Sequence, residues 1–141
     1  MARAEIEPLI GSKWVGRGEL WLDRLGNEAH VYDCSAAIER DAFTYRWSRE
    51  GKQHEGSIAL DADGATFRDS FHSESAVRCA PVAGAWGLFA VHFTFAVGDG
   101  PPWGWRVQLS RRPSGELVLQ MTNVLPWGEE TRAVRMIFAR A

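Results

Sequence analysis

Four histidines (His30, His54, His72 and His92), the carboxylate of Asp69 and the phenol of Tyr45 are the side chains of this chain best placed for chemistry. The four imidazoles fall on four different expected strands, so a closed sheet could gather them on a metal or at an axial haem position. No pair has the short spacing of a metal motif, and satisfied or surface histidines are the default expectation. His54 and His72 stand out from the rest. His54 shares a face with Gly56, Ile58 and Leu60, which read as interior, and His72 follows Phe67, Asp69 and Phe71 to close a strand at its rim. If Phe67 and Phe71 face inward, Asp69 faces inward with them, and must be paired, hydrogen-bonded or partly neutralised. The polar alternate face of Thr66, Arg68 and Ser70 favours that register; the opposite one puts Asp69 in solvent. An inward Asp69 beside His54 or His72 could hold a polar ligand head or act as an acid–base pair.

Other motifs carry less. Asp61-Ala62-Asp63-Gly64 resembles the start of a calcium loop, but His72 stands where the closing glutamate belongs. Gly98-Asp99-Gly100 leads into Pro101-Pro102 and a strand, not into a helix N-terminus, so it is no phosphate cradle. Nucleophile elbows are absent, and Arg111-Arg112 and Glu129-Glu130 read as solvated turns.

The elements that must position these groups are strands. Phe43, Tyr45 and Trp47 alternate with Thr44, Arg46 and Ser48; Phe89, Val91, Phe93 and Phe95 with Ala90, His92 and Thr94; Trp103, Trp105, Val107 and Leu109 with Arg106, Gln108 and Ser110. The same period of two returns at Leu117, Leu119, Met121 and Asn123, and at Val134, Met136 and Phe138. Gly, Asp, Asn and Pro clusters separate these runs, at Leu25-Gly26-Asn27, Glu50-Gly51-Lys52, Asp61–Gly64, Gly98–Pro102, Pro113–Gly115 and Pro126–Gly128. About ten strands follow, over roughly 13–23, 28–37, 42–50, 53–60, 65–72, 75–79, 86–97, 103–112, 116–124 and 130–140. A helical turn near Pro8-Leu9-Ile10 and a short piece over Ala36 to Arg40 are the expected exceptions.

Residues 1–141 read as a single all-β domain. Tight reversals favour an up-and-down meander, and a meander of 8–10 strands leaves two raw edges unless it closes into an antiparallel barrel. The glycines of Trp14-Val15-Gly16-Arg17-Gly18 share a face with the indole and let another backbone approach closely, as closure requires. On this register Tyr45, Trp47, Trp105, Met121 and Met136 form an apolar wall, with Asn123 at its end. A barrel of this size is filled by side chains or holds one small ligand.

The chain has 141 residues, seven Trp, seven Phe and a net charge of -2, which gives no electrostatic reason for nucleic acid or an anionic membrane. Cys34 and Cys79 lack metal spacing and are expected as reduced thiols. The N-terminal residues lack a secretory pattern, and Val82 to Val97 is too short and too interrupted to cross a bilayer as a helix, so a cytoplasmic location is expected.

The element Trp14-Val15-Gly16-Arg17-Gly18, preceded by Gly11, resembles the opening strand of calycin-like barrels. More specifically it resembles the DUF1579 group and, distantly, nitrobindin-type haem barrels; Glu50-Gly51-Lys52 and Asp69-Ser70-Phe71-His72 extend the likeness to DUF1579 over most of the chain. The resemblance implies a lipocalin- or fatty-acid-binding-protein-like barrel around a small apolar molecule. It also implies a basic residue near the last strand, Arg132 or Arg135, packed on Trp14 as part of the closure with Gly16 and Gly18. Nitrobindin-like proteins hold haem through a histidine near the C-terminal end, and no histidine follows His92 here.

The expected function is therefore binding of a hydrophobic or aromatic molecule without covalent catalysis, with no cofactor and no metal. Tyr45, Trp47, His54, Asp69, His72, Trp105, Met121, Asn123 and Met136 are its candidate ligand-binding residues. The rivals are a proton-transfer enzyme of isomerase, cyclase or decarboxylase type using Asp69, a histidine and Tyr45; a haem protein using His54, His72 or His92; and a filled barrel serving as an interaction module. The oligomeric state stays open, a homodimer included.

Overall fold

A computed structural model describes residues 3–23 and 26–141, which leaves Leu25 of the first expected turn outside the described residues. A short helix α1 (Arg3–Ile6) runs into a 3-10 turn (Glu7–Leu9). Ten strands follow: β1 (Lys13–Trp21), β2 (Ala29–Ile38), β3 (Ala42–Arg49), β4 (Lys52–Asp61), β5 (Gly64–Asp69), β6 (Ser73–Pro81), β7 (Phe89–Phe95), β8 (Trp103–Arg111), β9 (Leu117–Val124) and β10 (Glu130–Arg140). Each pairs antiparallel with its sequence neighbour, and β10 returns to β1, giving a closed ten-stranded up-and-down barrel.

Alternation decides which side chains fill it. β3 buries Phe43, Tyr45 and Trp47 and turns Arg46 to solvent; β8 buries Trp105, Val107 and Leu109; β10 buries Val134, Met136 and Phe138. Up-and-down order also sorts the loops. The turns after β1, β3, β5, β7 and β9 gather at one end, here called the mouth; the others gather at the floor with the N-terminal helical turns. Ile6 and Leu9 join the core at the floor, and Trp14, only 1% exposed, seals it. Its indole N–H donates to Ser12 Oγ at 2.8 Å, and the Ser12 hydroxyl donates to the Leu9 carbonyl at 2.5 Å.

The first strand closes the cylinder through its glycines. Gly16 lies opposite Phe138 and Gly18 opposite Met136 on one side, and they face Cys34 and Tyr32 on the other. The hairpin between β3 and β4 turns on Glu50 (φ 51) and Gly51 (φ 77), two successive positive-φ residues whose twist matches that of the strands. The wall is thinnest between β6 and β7, which pair only at Ala80–His92 and Pro81–Val91.

Two expectations are corrected. Ala36 to Ile38 belong to β2, not to a helical piece, because pairing with β1 and β3 and alternate burial override local helix preference. The strand expected over 65–72 stops at Asp69, so His72 sits on a turn, not on a strand. Among the described residues no helix is long and apolar enough to cross a membrane.

Candidate functional site

Asp69 ends β5 fully buried, opposite Gly56 of β4, and that glycine determines what reaches it. Gly56 also faces Tyr45 across β3, and a Cβ on Gly56 would run into the Tyr45 ring. The ring lies over the bare backbone instead, and its hydroxyl donates to Asp69 Oδ2 at 2.5 Å. Asp69 Oδ1 accepts the backbone N–H groups of Phe71 (2.8 Å) and His72 (3.1 Å). Both oxygens are thus engaged, and the inward register of Asp69 serves as a fastener joining β3 to the β5–β6 turn. Burial first, and then the Asp69 charge and its hydrogen bond, hold the Tyr45 phenol well above its ordinary pKa, so it stays a donor.

The fastened turn presents Phe71 and His72 to the mouth, where a run of rings begins. Trp47 stacks on His54 (centroids 4.6 Å apart, 29° between planes) and lies nearly parallel to His72 (6.0 Å, 22°). His72 in turn lies 5.1 Å from Trp105, Tyr32 packs 4.9 Å from Trp47, and Phe71 stands edge-on to Trp47 at 5.3 Å. Phe71 is 38% exposed and forms the lip, with the Arg49 guanidinium 5.8 Å from its ring. Ser70 Oγ accepts the Glu55 N–H and lies 3.1 Å from His54 Nδ1, which orients that imidazole.

Within this cluster lie the buried side-chain atoms that find no partner among the described residues: Tyr32 OH, Trp47 Nε1, Trp105 Nε1 and Arg49 Nε. Unpartnered buried donors are uncommon, because each carries a desolvation cost of about 1–3 kcal/mol. Four in one cluster mark the place where this interior is least satisfied.

Of the residues expected at a ligand site, the structure joins Tyr45 to Asp69 and brings Trp47, His54, His72 and Trp105 into one ring cluster. Asn123 is half-buried opposite Trp105. Met121 and Met136 are fully buried in the core, Met121 opposite Val107, one inward step deeper than Asn123. His30 and His92 are exposed and apart from the cluster, and among the described residues no three His, Cys, Asp or Glu side chains gather as a metal site. Cys34 and Cys79 are free and buried, and burial raises their thiols to about 12 and about 11.

The basic partner of Trp14 is corrected. Arg140 lies over Trp14 at 5.8 Å, whereas Arg132 and Arg135 lie over Trp21 near the mouth, at 4.4 and 5.9 Å. Antiparallel pairing of β1 with β10 sets Trp14 opposite Arg140, six residues along the ladder from Leu20 and Val134. Arg135 instead ties β10 to β1 from outside, donating to Glu19 Oε1 at 2.6 and 3.1 Å.

Sequence reasoning missed Tyr32, Arg49 and Phe71 as site residues. Tyr32 had a readable signal: a Cβ on Gly18 would meet its ring, so the glycine of one strand marks the aromatic of the next. Two recesses also indent the outer surface. One, of about 1060 Å³, lies over β1–β5 among Lys13, Arg46, Glu55 and Arg68; the other, of about 360 Å³, lies by His92, Arg106 and Leu125. Both are broadly open; the first is lined by charges of both signs, and the second is walled by Trp105, Val124, Leu125 and Pro126 together with Arg106 and Glu130.

Burial first, and then His54, hold the His72 imidazole below its ordinary 6.5, with Asp69 pulling the other way. The folded chain therefore binds fewer protons than the unfolded one as pH falls through about 6.5. This contribution to stability is complete above that value and is lost on acidification. Urea midpoints are expected to fall between about pH 7.5 and 5.5, and His72→Gln to flatten that fall. An equal fall in the variant assigns the loss to other groups.

Compared with known proteins, the chain matches no family model and no curated protein.

Proposed function

We propose that this barrel binds a small hydrophobic or aromatic molecule at its mouth, against Tyr32, Trp47, His72 and Trp105, in the manner of calycin-like carriers. The observation that carries the reading is the set of unpartnered donors among packed rings at the mouth end of the barrel. Ligand pockets combine such apolar walls with a few convergent polar atoms. Asp69, with both oxygens engaged and no exposure, supports a structural role in this site and not an acid–base one.

The test is a titration with N-phenyl-1-naphthylamine, a neutral apolar fluorophore. Its emission is expected to rise on mixing while the protein's tryptophan emission is quenched, with a dissociation constant in the micromolar range. Trp105→Ala, checked for an intact β spectrum, is expected to weaken binding about tenfold or more. No change in either emission means that the barrel is filled and closed to guests.

A further inference from the structure

The donor content and ring geometry of the mouth narrow the class of guest further, an inference that rests on the reading of the mouth as a binding site. Trp47 Nε1, Trp105 Nε1 and Arg49 Nε can only donate hydrogen bonds, and Tyr32 OH can do so. Tyr32, Trp47 and Trp105 are each more than nine-tenths buried, so water at the surface does not serve them. The nearby carboxylate offers nothing to a guest's donors, because Tyr45 and two backbone N–H groups occupy it. The buried groups left without a partner in the mouth are thus all able to donate, and three of the four can do nothing else.

Shape adds a second restriction. The His72 ring sits between Trp47 and Trp105, nearly parallel to the first and tilted 38° to the second. It is a flat ring in a slot bounded by two flat rings, at centroid distances typical of offset stacking. Its backbone is fastened through Asp69, but the imidazole makes no hydrogen bond among the described residues and is held by packing alone. Turning the side chain toward the mouth would therefore break no hydrogen bond, only its ring contacts with Phe71, Trp47 and Trp105.

We propose that the mouth selects flat, unsaturated molecules bearing oxygen acceptors (carboxylate or carbonyl), which displace the His72 ring and lie between the Trp47 and Trp105 indoles within reach of the Tyr32 hydroxyl. The guest replaces one stacked ring by a larger one and brings the acceptors that the indole N–H groups and the phenol lack. A flexible alkyl chain fills the slot poorly, and a flat hydrocarbon leaves the donors as they were.

Calorimetric titration with three probes separates these terms: 2-naphthoate, 2-methylnaphthalene (the same rings without the acceptor) and dodecanoate (the same carboxylate on a flexible chain). 2-Naphthoate is expected to bind at least about tenfold more tightly than either. Tyr32→Phe supplies a crossed signature. Removing an unpartnered buried hydroxyl is expected to raise the melting temperature of the free protein while weakening 2-naphthoate about fivefold to tenfold. His72→Ala is expected to tighten 2-naphthoate by clearing the slot. A hydrocarbon that binds as well as the naphthoate overturns the acceptor requirement, and dodecanoate binding as well overturns planarity. Unchanged naphthoate affinity in Tyr32→Phe also sinks the proposal. If N-phenyl-1-naphthylamine binds while 2-naphthoate does not, only this inference fails; if neither binds, the site itself is wrong.

Discussion

Gly16→Ala is expected to lower the melting temperature by roughly 10 °C, a loss of about 3 kcal/mol, at the upper end of overpacking effects. A Cβ at this position would collide with the carbonyl oxygen of Ile137 and the Cα of Phe138. Those atoms are main chain in the partner strand of the closing seam, directly across the ladder. A rotamer change cannot relieve such a clash; β1 and β10 must separate, and the barrel regains the two edges that closure removed. Gly18→Ala is the control, because its added methyl meets the Tyr32 ring, a side chain. It is expected to cost less stability and to push Tyr32 into the mouth, disturbing probe binding more than folding. Thermal melts of the two variants decide the matter. If Gly16→Ala melts no lower than Gly18→Ala, the seam has slack that the backbone contact denies.

These same glycines show what the sequence disclosed and what it withheld. Period-two runs between turn clusters gave strand positions that match all ten strands closely, since alternation and reversal are local properties. The pairing that closes the cylinder is not local. That Trp14 would meet Arg140 instead of Arg135 follows only when the start of the first strand is set against the end of the last. The inward turn of Asp69 was readable from its neighbour Phe67, which is fully buried with it. Its bond to Tyr45, 24 residues away, was not, because it depends on Gly56 clearing the space between them. Tyr32 lies between the exposed residues Val31 and Asp33, and only its position opposite Gly18 marks its ring as part of the site. Side-chain convergence is a property of register and of missing atoms, and neither leaves a motif.

Asp69→Ala is expected to have the largest effect in the chain, about 3–5 kcal/mol of lost stability. The carboxylate receives the Tyr45 hydroxyl and the N–H groups of Phe71 and His72, and its removal leaves one fully buried and two part-buried donors without their acceptor. Asp69→Asn keeps the shape. Its amide oxygen can still accept both backbone N–H groups, and its NH₂ can donate to a Tyr45 hydroxyl turned to accept, so a loss of only about 1–2 kcal/mol is expected. Tyr45→Phe leaves Oδ2 without its donor and is expected to cost a similar amount. Asp69→Asn combined with Tyr45→Phe should then show a coupling of about 1 kcal/mol or more, measured by urea denaturation. The order alanine worse than asparagine is the decisive reading, because it separates a fastener from a side chain that merely fills space. Function should follow the same order. The β5–β6 turn carries Phe71 and His72, so any variant that frees it also loosens the slot between the indoles, and probe affinity should fall before the barrel unfolds. Alanine and asparagine variants of equal stability and equal probe affinity would leave the carboxylate with no part in holding the mouth.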